Sequence, residues 1–339
     1  MSHLARICLP ILLALIGGAL VLVMLGKDPF AYYFYVIDRG VFSWGGLQET
    51  LIRMAPLLLI AAGLIIAFRA GIWNLGSDGQ YLLAAVVTAA LAPALIGVLP
   101  RGLILVICML IAVVVAALWS LPPAILKARY GINEIITSLM MSFLGVSFAN
   151  VLVKLFFWDP ATTVPQTRTL DIADRLPRIP GTNVHIGLFI ALGLVILVHF
   201  LMTRTAFGLK LQVVGASPGA ARHAGLKVGL LTIATFALSA GLIGLAGAVE
   251  ILGVWGNVRA DWNPAYGMLV VPLVFLARMN GLAVIGFTFF FSALMIGGES
   301  AARRIGVPQD FVLLLMGLVL AFLGLIEYLD HRRQQRAAA

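Results

Sequence analysis

The stretch MAPLLLIAAGLIIAF, residues 54–68, contains no charged residue and decides the class of fold. It belongs to one of ten long apolar stretches that fill most of the 339-residue chain, with short polar breaks between them. A helix needs about 20 apolar residues to cross the hydrocarbon of a bilayer, and it satisfies its own backbone polar groups. The chain is 62% apolar and 11% charged, with a mean hydropathy of +1.06. It is therefore predicted to be all-α, a polytopic membrane protein with about ten transmembrane helices.

The apolar stretches place the predicted spans and loops. The spans cover residues 7–26, 48–69, 79–97, 102–125, 135–157, 187–203, 230–254, 266–279, 282–298 and 310–327. Spans eight and nine are so close that they form either a tight helical hairpin or half-helices that enter and return. The first stretch is longer than the apolar region of a signal peptide, about 7–15 residues, so it is expected to be a retained span. Residues 1–339 form one transmembrane domain in this prediction, with an outer loop at 158–186 and a cytoplasmic loop at 204–229.

The basic residues are distributed by side of the membrane. Cytoplasmic loops carry an excess of Lys and Arg. A cytoplasmic N-terminus puts most of these residues on that side: Arg69, Lys127, Arg129, Arg204, Lys210, Arg222, Lys227 and the tail at 331–336. Both termini are therefore predicted to be cytoplasmic, with Arg303 and Arg304 as exceptions on the outer side. Because the net charge of +9 follows topology, it does not indicate a nucleic-acid partner.

Several classes of chemistry are excluded by missing motifs. The sequence has no Gly-x-x-x-x-Gly-Lys-Ser/Thr loop for nucleotides, no His-Glu-x-x-His and no Gly-x-Ser-x-Gly. Cys8 and Cys108 lie in apolar runs and are expected to be small buried hydrophobes rather than metal ligands. No series of acidic or His residues within the spans resembles a proton relay, which weakens an ion-coupled mechanism. Neither catalytic nor metal-binding residues are predicted.

The first informative break, residues 68–81, combines glycines with polar side chains at the edge of the membrane. Asn74, Asp78 and Gln80 are the polar residues of interest, because such residues are costly near lipid and tend to line cavities or pathways. The alternative is a short turn between helices, with Asn74 and Ser77 as caps. Both interpretations of Asn74 and Gln80 remain open from the sequence.

The second break, residues 130–142, opens span five. Asn133 and Glu134 suit a helix N-terminus, where the macrodipole favours a negative charge. Ser138 and Ser142 are four residues apart and share a helix face. Hydroxyls at that spacing either bind a polar solute or allow close packing against a neighbouring helix.

Span seven carries a stripe of small residues, Gly241, Gly244, Gly247 and Ala248. Small side chains at such spacing let helices approach closely, so helix packing is the predicted role of the stripe. Glu250 follows near the outer end of this span, where its carboxylate is expected to reach water.

The cytoplasmic loop carries the pattern of a short helix. Ser217 is a suitable N-cap, Pro218 suits the first helical position, and Gly225 stands where a helix would stop. The pattern predicts a helix of about two turns that lies outside the membrane.

Taken together, these motifs resemble the permease subunits of bacterial ATP-binding-cassette importers, in the branched-chain amino acid/ribose/nucleoside permease family. The nucleoside and simple-sugar branch is the most similar. The resemblance rests on AFRAGIWNLG at 67–76 followed by DGQ at 78–80, GINE at 131–134, and VGASP at 214–218 followed by AARHAG at 220–225. It extends from span one to Gly324 and implies a type II-like importer permease architecture.

The resemblance assigns roles to two groups of residues. Importer permeases carry a Glu-Ala-Ala-x-x-x-Gly pattern in a cytoplasmic coupling helix that docks into a groove of the ATPase, and here the Glu position is Gly219. The implied coupling residues are Ser217, Pro218, Ala220, Ala221, Arg222, His223, Ala224 and Gly225. The residues predicted for the substrate pathway are Asn74, Asp78, Gln80, Asn133, Glu134, Ser138 and Ser142.

The implied function is that of a permease subunit for nucleosides or related simple sugars in the bacterial inner membrane. The chain itself needs no cofactor, because ATP-Mg would be bound by a separate cytoplasmic ATPase. The other implied partners are an extracytoplasmic solute-binding protein, the lipid bilayer, and a second permease that is either homologous or identical. The alternatives are a stand-alone secondary transporter and a membrane-embedded enzyme. An enzyme would need an acidic or His cluster at one membrane face, whereas Asp78, Glu134 and Glu250 are expected to divide between opposite faces.

Overall fold

The computed structural model describes residues 3–308 and 310–338, with side chains for residues 9–308, 310–326, 328 and 329. The described residues contain no β-strand. Their α-helices are α1 His3–Met24, α2 Pro29–Ile37, α3 Trp44–Arg69, α4 Ser77–Leu95, α5 Arg101–Trp119, α6 Leu121–Tyr130, α7 Glu134–Val151, α8 Gly187–Arg204, α9 Ala206–Ala216, α10 Pro218–His223, α11 Val228–Glu250, α12 Tyr266–Leu276, α13 Ala283–Ile305 and α14 Phe311–Ala338. Three helices, α2, α7 and α11, continue directly into a π-helical turn.

The predicted all-helical, multi-pass character is confirmed. Seven helical segments of the described chain are long and apolar enough to cross a membrane: Trp44–Arg69, Ser77–Leu95, Arg101–Tyr130, Glu134–Phe156, Gly187–Arg204, Val228–Trp255 and Ala283–Ile305. The first, eighth and tenth predicted spans contain shorter apolar helices, Leu9–Met24, Tyr266–Leu276 and Phe311–Ile326. Their full crossing, and hence the total of ten spans, stays a prediction. The predicted basic tail at 331–336 continues α14, and its side chains lie outside the described residues.

The structure differs from the predicted elements at three places. Helix α2 lies in the break after span one, where Asp28 accepts a hydrogen bond from the Phe30 amide (2.9 Å) and Pro29 is the first helical residue. That cap was recognisable from local rules. The fourth span divides at Ser120 into α5 and α6, and Pro122 is the second residue of α6. The cytoplasmic loop contains two helices, α9 and α10, rather than one.

Helix α3 is the centre of the bundle. Every residue from Met54 to Phe68 is buried, and α3 packs against α8, α11, α12 and α13. A helix that is apolar all round is stable only when other helices surround it or lipid does. Here the protein surrounds it, so the most apolar stretch of the sequence is the core of the fold.

The small-residue stripe of α11 lets that helix touch its neighbours through backbone. A Cβ atom at Gly247 would collide with the Tyr81 carbonyl of α4, and one at Gly244 would collide with Ala112 and Ala116 of α5. The predicted packing role of the stripe is therefore confirmed.

The outer loop between α7 and α8 is folded onto the end of α11. Backbone amides of Thr167, Leu170 and Leu176 donate to carbonyls in the segment 252–258. His185 is buried, and its Nδ1 accepts from the Gly187 amide at 3.1 Å. Burial, and then the charge of Arg178, lowers the pKa of His185 to about 4. The ring is therefore neutral at pH 7, as its buried position requires.

Substituting Gly247 with Leu is expected to weaken the contact between α11 and α4, because added volume in a packed interface is poorly tolerated. Gly193→Leu in α8 is the matched control, since open space surrounds Gly193. Thermal unfolding of the two purified variants in detergent should show a lower midpoint for Gly247→Leu alone. Equal midpoints would contradict the packing assignment.

Candidate functional site

The break between α3 and α4, residues 70–76, forms its hydrogen bonds with the protein rather than with solvent. Helix α3 ends in a turn with Gly71 at φ +68°. The Leu75 amide then donates to Ser138 Oγ (3.1 Å), the Gly76 amide to Asn74 Oδ1 (3.2 Å), and the Gly79 amide to Ser142 Oγ (3.2 Å). These side chains supply the acceptors that the interrupted helix lacks. The local sequence therefore forms a stable interruption next to the core helix.

Asn74 and Gln80 form a reciprocal amide pair inside the protein. Asn74 Nδ2 donates to Gln80 Oε1 (3.1 Å), and Gln80 Nε2 donates to Asn74 Oδ1 (3.0 Å). Asn74 Nδ2 also donates to Ser239 Oγ of α11 at 3.0 Å. Both amide side chains are fully buried. Of the two interpretations left open by the sequence, this geometry is that of a capped turn; a role in the pathway stays a prediction.

Ser138 and Ser142 lie on the face of α7 that meets the break, as their spacing predicted. Besides accepting from Leu75, the Ser138 hydroxyl lies 2.6 Å from the Glu134 carbonyl, to which it donates. A Cβ at Gly79 would come within 2.8 Å of the Ser142 carbonyl oxygen. The two hydroxyls therefore serve close packing between α4 and α7 in this structure.

Asp78 joins the starts of two helices. Its Oδ1 accepts from the Gly267 amide in the first turn of α12 at 2.7 Å, and Gly267 packs directly on Ser77. Helix α12 has 11 residues, which gives a length of about 16 Å. That is about half of the hydrocarbon thickness, so α12 alone is too short to cross. Helices α4 and α12 thus begin against each other, and α12 has the length expected of a half-helix.

Asn133 and Glu134 begin α7. Asn133 Oδ1 accepts from the Ile135 amide (2.9 Å) in an exposed N-cap. Glu134 forms an ion pair of 2.7 Å with Lys127 near the end of α6, and its side chain is 9% exposed. The predicted cap is present, and the ion pair joins the start of α7 to α6.

The short helix predicted in the loop 204–229 is present as α10, and its coupling role stays a prediction. Ser217 Oγ accepts from the Ala220 amide (3.3 Å), Pro218 is the first helical residue, and Gly225 has φ +78°. Ala221 is fully buried against the chain itself, whereas the exposed residues are Ser217, Pro218, Ala220, Arg222, His223, Ala224 and Gly225. A partner would therefore meet this exposed surface, not the Ala221 side chain.

Helix α9 links α10 to the break. Gly215, near the end of α9, packs on the backbone of Ala70 and Gly71, where a Cβ at Gly215 would lie 2.7 Å from the Ala70 carbonyl carbon. A cavity of about 250 Å³ beside this contact is lined by Lys127 and Arg222, among other residues. Helix α9 thus touches the interrupted end of the core helix directly.

A charged cluster that was not predicted from the sequence lies where α3 begins and where α11 and α13 end. Arg53 of α3 forms an ion pair with Glu299 of α13 (Nη2 to Oε1, 3.4 Å) and donates through Nη1 to the Tyr266 hydroxyl. Glu250 lies beside them and is 2% exposed, so the expectation that its carboxylate reaches water was wrong. The π-helical turn after Glu250 folds Trp255 back over it, and the indole Nε1 donates to Glu250 Oε1 at 3.0 Å. Charged residues inside apolar spans are a recognisable sign of such a site. Arg53 lies inside the second predicted span, and Glu299 directly follows the ninth.

We expect Asn74→Ala to destabilise the break, because it leaves Gln80 and Ser239 buried without their amide partner. Such a loss costs about 1–3 kcal/mol, measurable as a lower thermal midpoint in detergent. The matched control is Asn257→Ala, which removes one hydrogen bond to Thr169 on the outer surface. A midpoint for Asn74→Ala no lower than that of the control would show that the network does not hold the break.

The chain is similar to known permeases along nearly its whole length. Residues 46–324 match the family described as branched-chain amino acid transport system / permease component. A glucose ABC transporter permease protein of Haloferax volcanii is 32% identical, over 96% of this chain and 88% of the relative. A guanosine ABC transporter permease protein of Bacillus subtilis is 25% identical, over 95% and 93%. A galactofuranose transporter permease protein of Escherichia coli is 26% identical, over 86% and 82%. The predicted class of transport subunit, rather than enzyme, is thereby confirmed. The chain belongs to the family of branched-chain amino acid transport system permease components.

Proposed function

We propose that this chain forms the membrane pathway for nucleosides or simple sugars in an ATP-binding-cassette importer. The observation that carries this proposal is the near full-length similarity to permeases named for glucose, guanosine and galactofuranose. These solutes share a hydroxylated sugar ring. Sites that hydrogen-bond hydroxyls discriminate strongly, because a solute without the hydroxyl leaves a buried group unpaired.

The energy source in this proposal lies outside the chain. The sequence has no nucleotide-binding Gly-rich loop, so a separate cytoplasmic ATPase binds ATP-Mg. The exposed surface of α10 is the proposed docking point, in the helix-in-groove mode. An extracytoplasmic binding protein delivers the solute, and a second permease, homologous or identical, completes the membrane unit. The bacterial inner membrane, with both termini cytoplasmic, belongs to the same proposal.

The seven residues predicted for the pathway enter the proposal in two roles. Asn133 is exposed at the start of α7 and is available to contact a solute; Glu134 holds that start in place. The others position the interrupted helices that shape the pathway: Asn74, Asp78, Gln80, Ser138 and Ser142. Apart from the two carboxylates, these side chains carry no charge, which suits an uncharged solute.

The direct test of this function is uptake by sealed vesicles that contain the permease with its cognate ATPase and binding protein. Labelled guanosine and glucose are supplied with ATP on the ATPase side. Accumulation of at least one solute should require all components and ATP. Accumulation without the ATPase, driven by a proton or sodium gradient, would instead establish the secondary-transporter alternative.

The orientation predicts which loops an impermeant thiol reagent reaches. In a chain lacking Cys8 and Cys108, a Thr169→Cys variant should be labelled from outside intact cells and a Lys210→Cys variant should not, because Lys and Arg mark the cytoplasmic side. Both positions are exposed in the structure, so accessibility depends on sidedness. The reverse pattern would invert the proposed topology.

Docking through α10 predicts that bulk on its exposed face uncouples transport. Ala224→Trp should lower both solute uptake and the solute-stimulated ATPase rate, because a filled groove tolerates added volume poorly. Ala206→Trp is the control, since Ala206 is also exposed but begins α9. Normal rates for Ala224→Trp in an assembled complex would place the coupling contact elsewhere.

A further inference from the structure

A cleft with five ionisable side chains opens where α3, α11 and α13 end on the proposed outer side. It has a volume of about 300 Å³, and its charged lining is Glu49, Arg53, Glu250, Glu299 and Arg303. Charged residues within apolar helices are rare and usually pair with one another or serve a pathway. None of them belongs to the residues predicted for the substrate pathway. The cluster therefore needs its own explanation.

The pairing within the cluster is incomplete. Arg53 is bonded to Glu299 and to the Tyr266 hydroxyl. Glu250 Oε1 accepts from the Trp255 indole, but Glu250 Oε2 has no hydrogen-bond partner although the residue is only 2% exposed. Buried polar atoms are almost always bonded in native proteins. Glu250 Oε2 thus has no donor within hydrogen-bond distance, although the Tyr266 hydroxyl and Arg53 lie near this carboxylate, and it can accept a hydrogen bond from a bound molecule.

The lining suits a hydroxylated ring better than an ion. A hydroxyl can donate to Glu250 Oε2, while a neighbouring hydroxyl can accept from a guanidinium such as Arg53. The indole of Trp255, which also lines the cleft, offers an apolar surface to the C–H groups of the ring. Three carboxylates oppose an anion, and two guanidinium groups oppose a cation.

We infer that this cleft is an outer binding site for the hydroxylated sugar ring of the solute, with Glu250 Oε2 as the acceptor for one hydroxyl. The inference rests on the proposed function for the class of solute. It also accounts for Arg303, one of the two exceptions to the charge distribution. Arg303 lines the cleft, and Arg304 lies over the Tyr35 ring at 5.2 Å.

A labelling experiment tests binding without relying on transport. Val254 lines the cleft, so a Val254→Cys variant in a chain lacking Cys8 and Cys108 is exposed to an impermeant maleimide. Uridine, D-glucose and D-ribose are the probes, and uracil is the control because it lacks the sugar. At least one sugar-bearing probe should slow labelling severalfold at millimolar concentration, and uracil should not. Protection by none of the three, or equal protection by uracil, would overturn the inference, and so would protection by sodium chloride alone.

Glu250→Gln tests the assigned oxygen. Glutamine keeps an acceptor for Trp255 and replaces the charged Oε2, so about tenfold more solute should be needed for half-maximal protection. Asp261→Asn removes the same charge from the outer surface, where Asp261 pairs with Lys154, and should leave protection unchanged. An unchanged half-maximal concentration in Glu250→Gln would refute the role of Oε2. If Glu250→Gln does not fold, the comparison of uridine with uracil in Val254→Cys still tests whether the cleft binds the sugar ring.

The outcomes separate this inference from the proposed function. Normal ATP-driven uptake, without protection of the Val254→Cys thiol by the transported solute, rejects the cleft as a binding site and leaves the importer function intact. Protection without ATP-driven uptake supports the cleft and rejects the importer function. Absence of both protection and uptake rejects both the binding site and the importer function.

Discussion

The structure depends on one constraint: backbone amides away from water must find partners inside the protein. Unbroken helices meet it by themselves, but the chain interrupts its helices beside α3 and begins α4 and α12 against each other. The interruption is stable because Asn74, Ser138 and Ser142 accept hydrogen bonds from the amides of residues 75–79. Asp78 does the same for the first turn of α12.

The polar side chains around the break and those at the end of α11 therefore have different roles. The polar side chains around the break accept hydrogen bonds from backbone amides. The buried carboxylate oxygen without a hydrogen-bond partner belongs instead to Glu250, at the end of α11. At the other end of α3, Gly215 places α9 directly on the backbone of Ala70 and Gly71. A movement of α9 and α10 imposed by a partner would therefore act on the break through contact, with no intervening side chain.

Local rules predicted much of the fold, and long-range packing explains the rest. Apolar length located the long spans, and cap chemistry located α10 from Ser217 and Pro218. The spacing of Ser138 and Ser142 correctly put them on one face. The sequence left open whether spans eight and nine form a hairpin or half-helices, because apolar length alone does not show that α12 ends at Leu276. It also did not show that Arg53, Glu250 and Glu299 meet, since they lie on three helices far apart in the chain. The error at Glu250 arose because nearness to a span end was taken for access to water, whereas Trp255 folds over it.

Amide hydrogen exchange across residues 70–80, measured in a lipid bilayer, tests most directly whether buried polar side chains hold the break. The segment lacks continuous helical hydrogen bonds, yet its Leu75, Gly76 and Gly79 amides are bonded to side chains of the protein. These three amides should exchange much more slowly than the amide of Thr163, an exposed residue in the loop between α7 and α8. Exchange of these three amides as fast as that of Thr163 would show that the break is open to water, and would contradict the claim that buried polar side chains hold it.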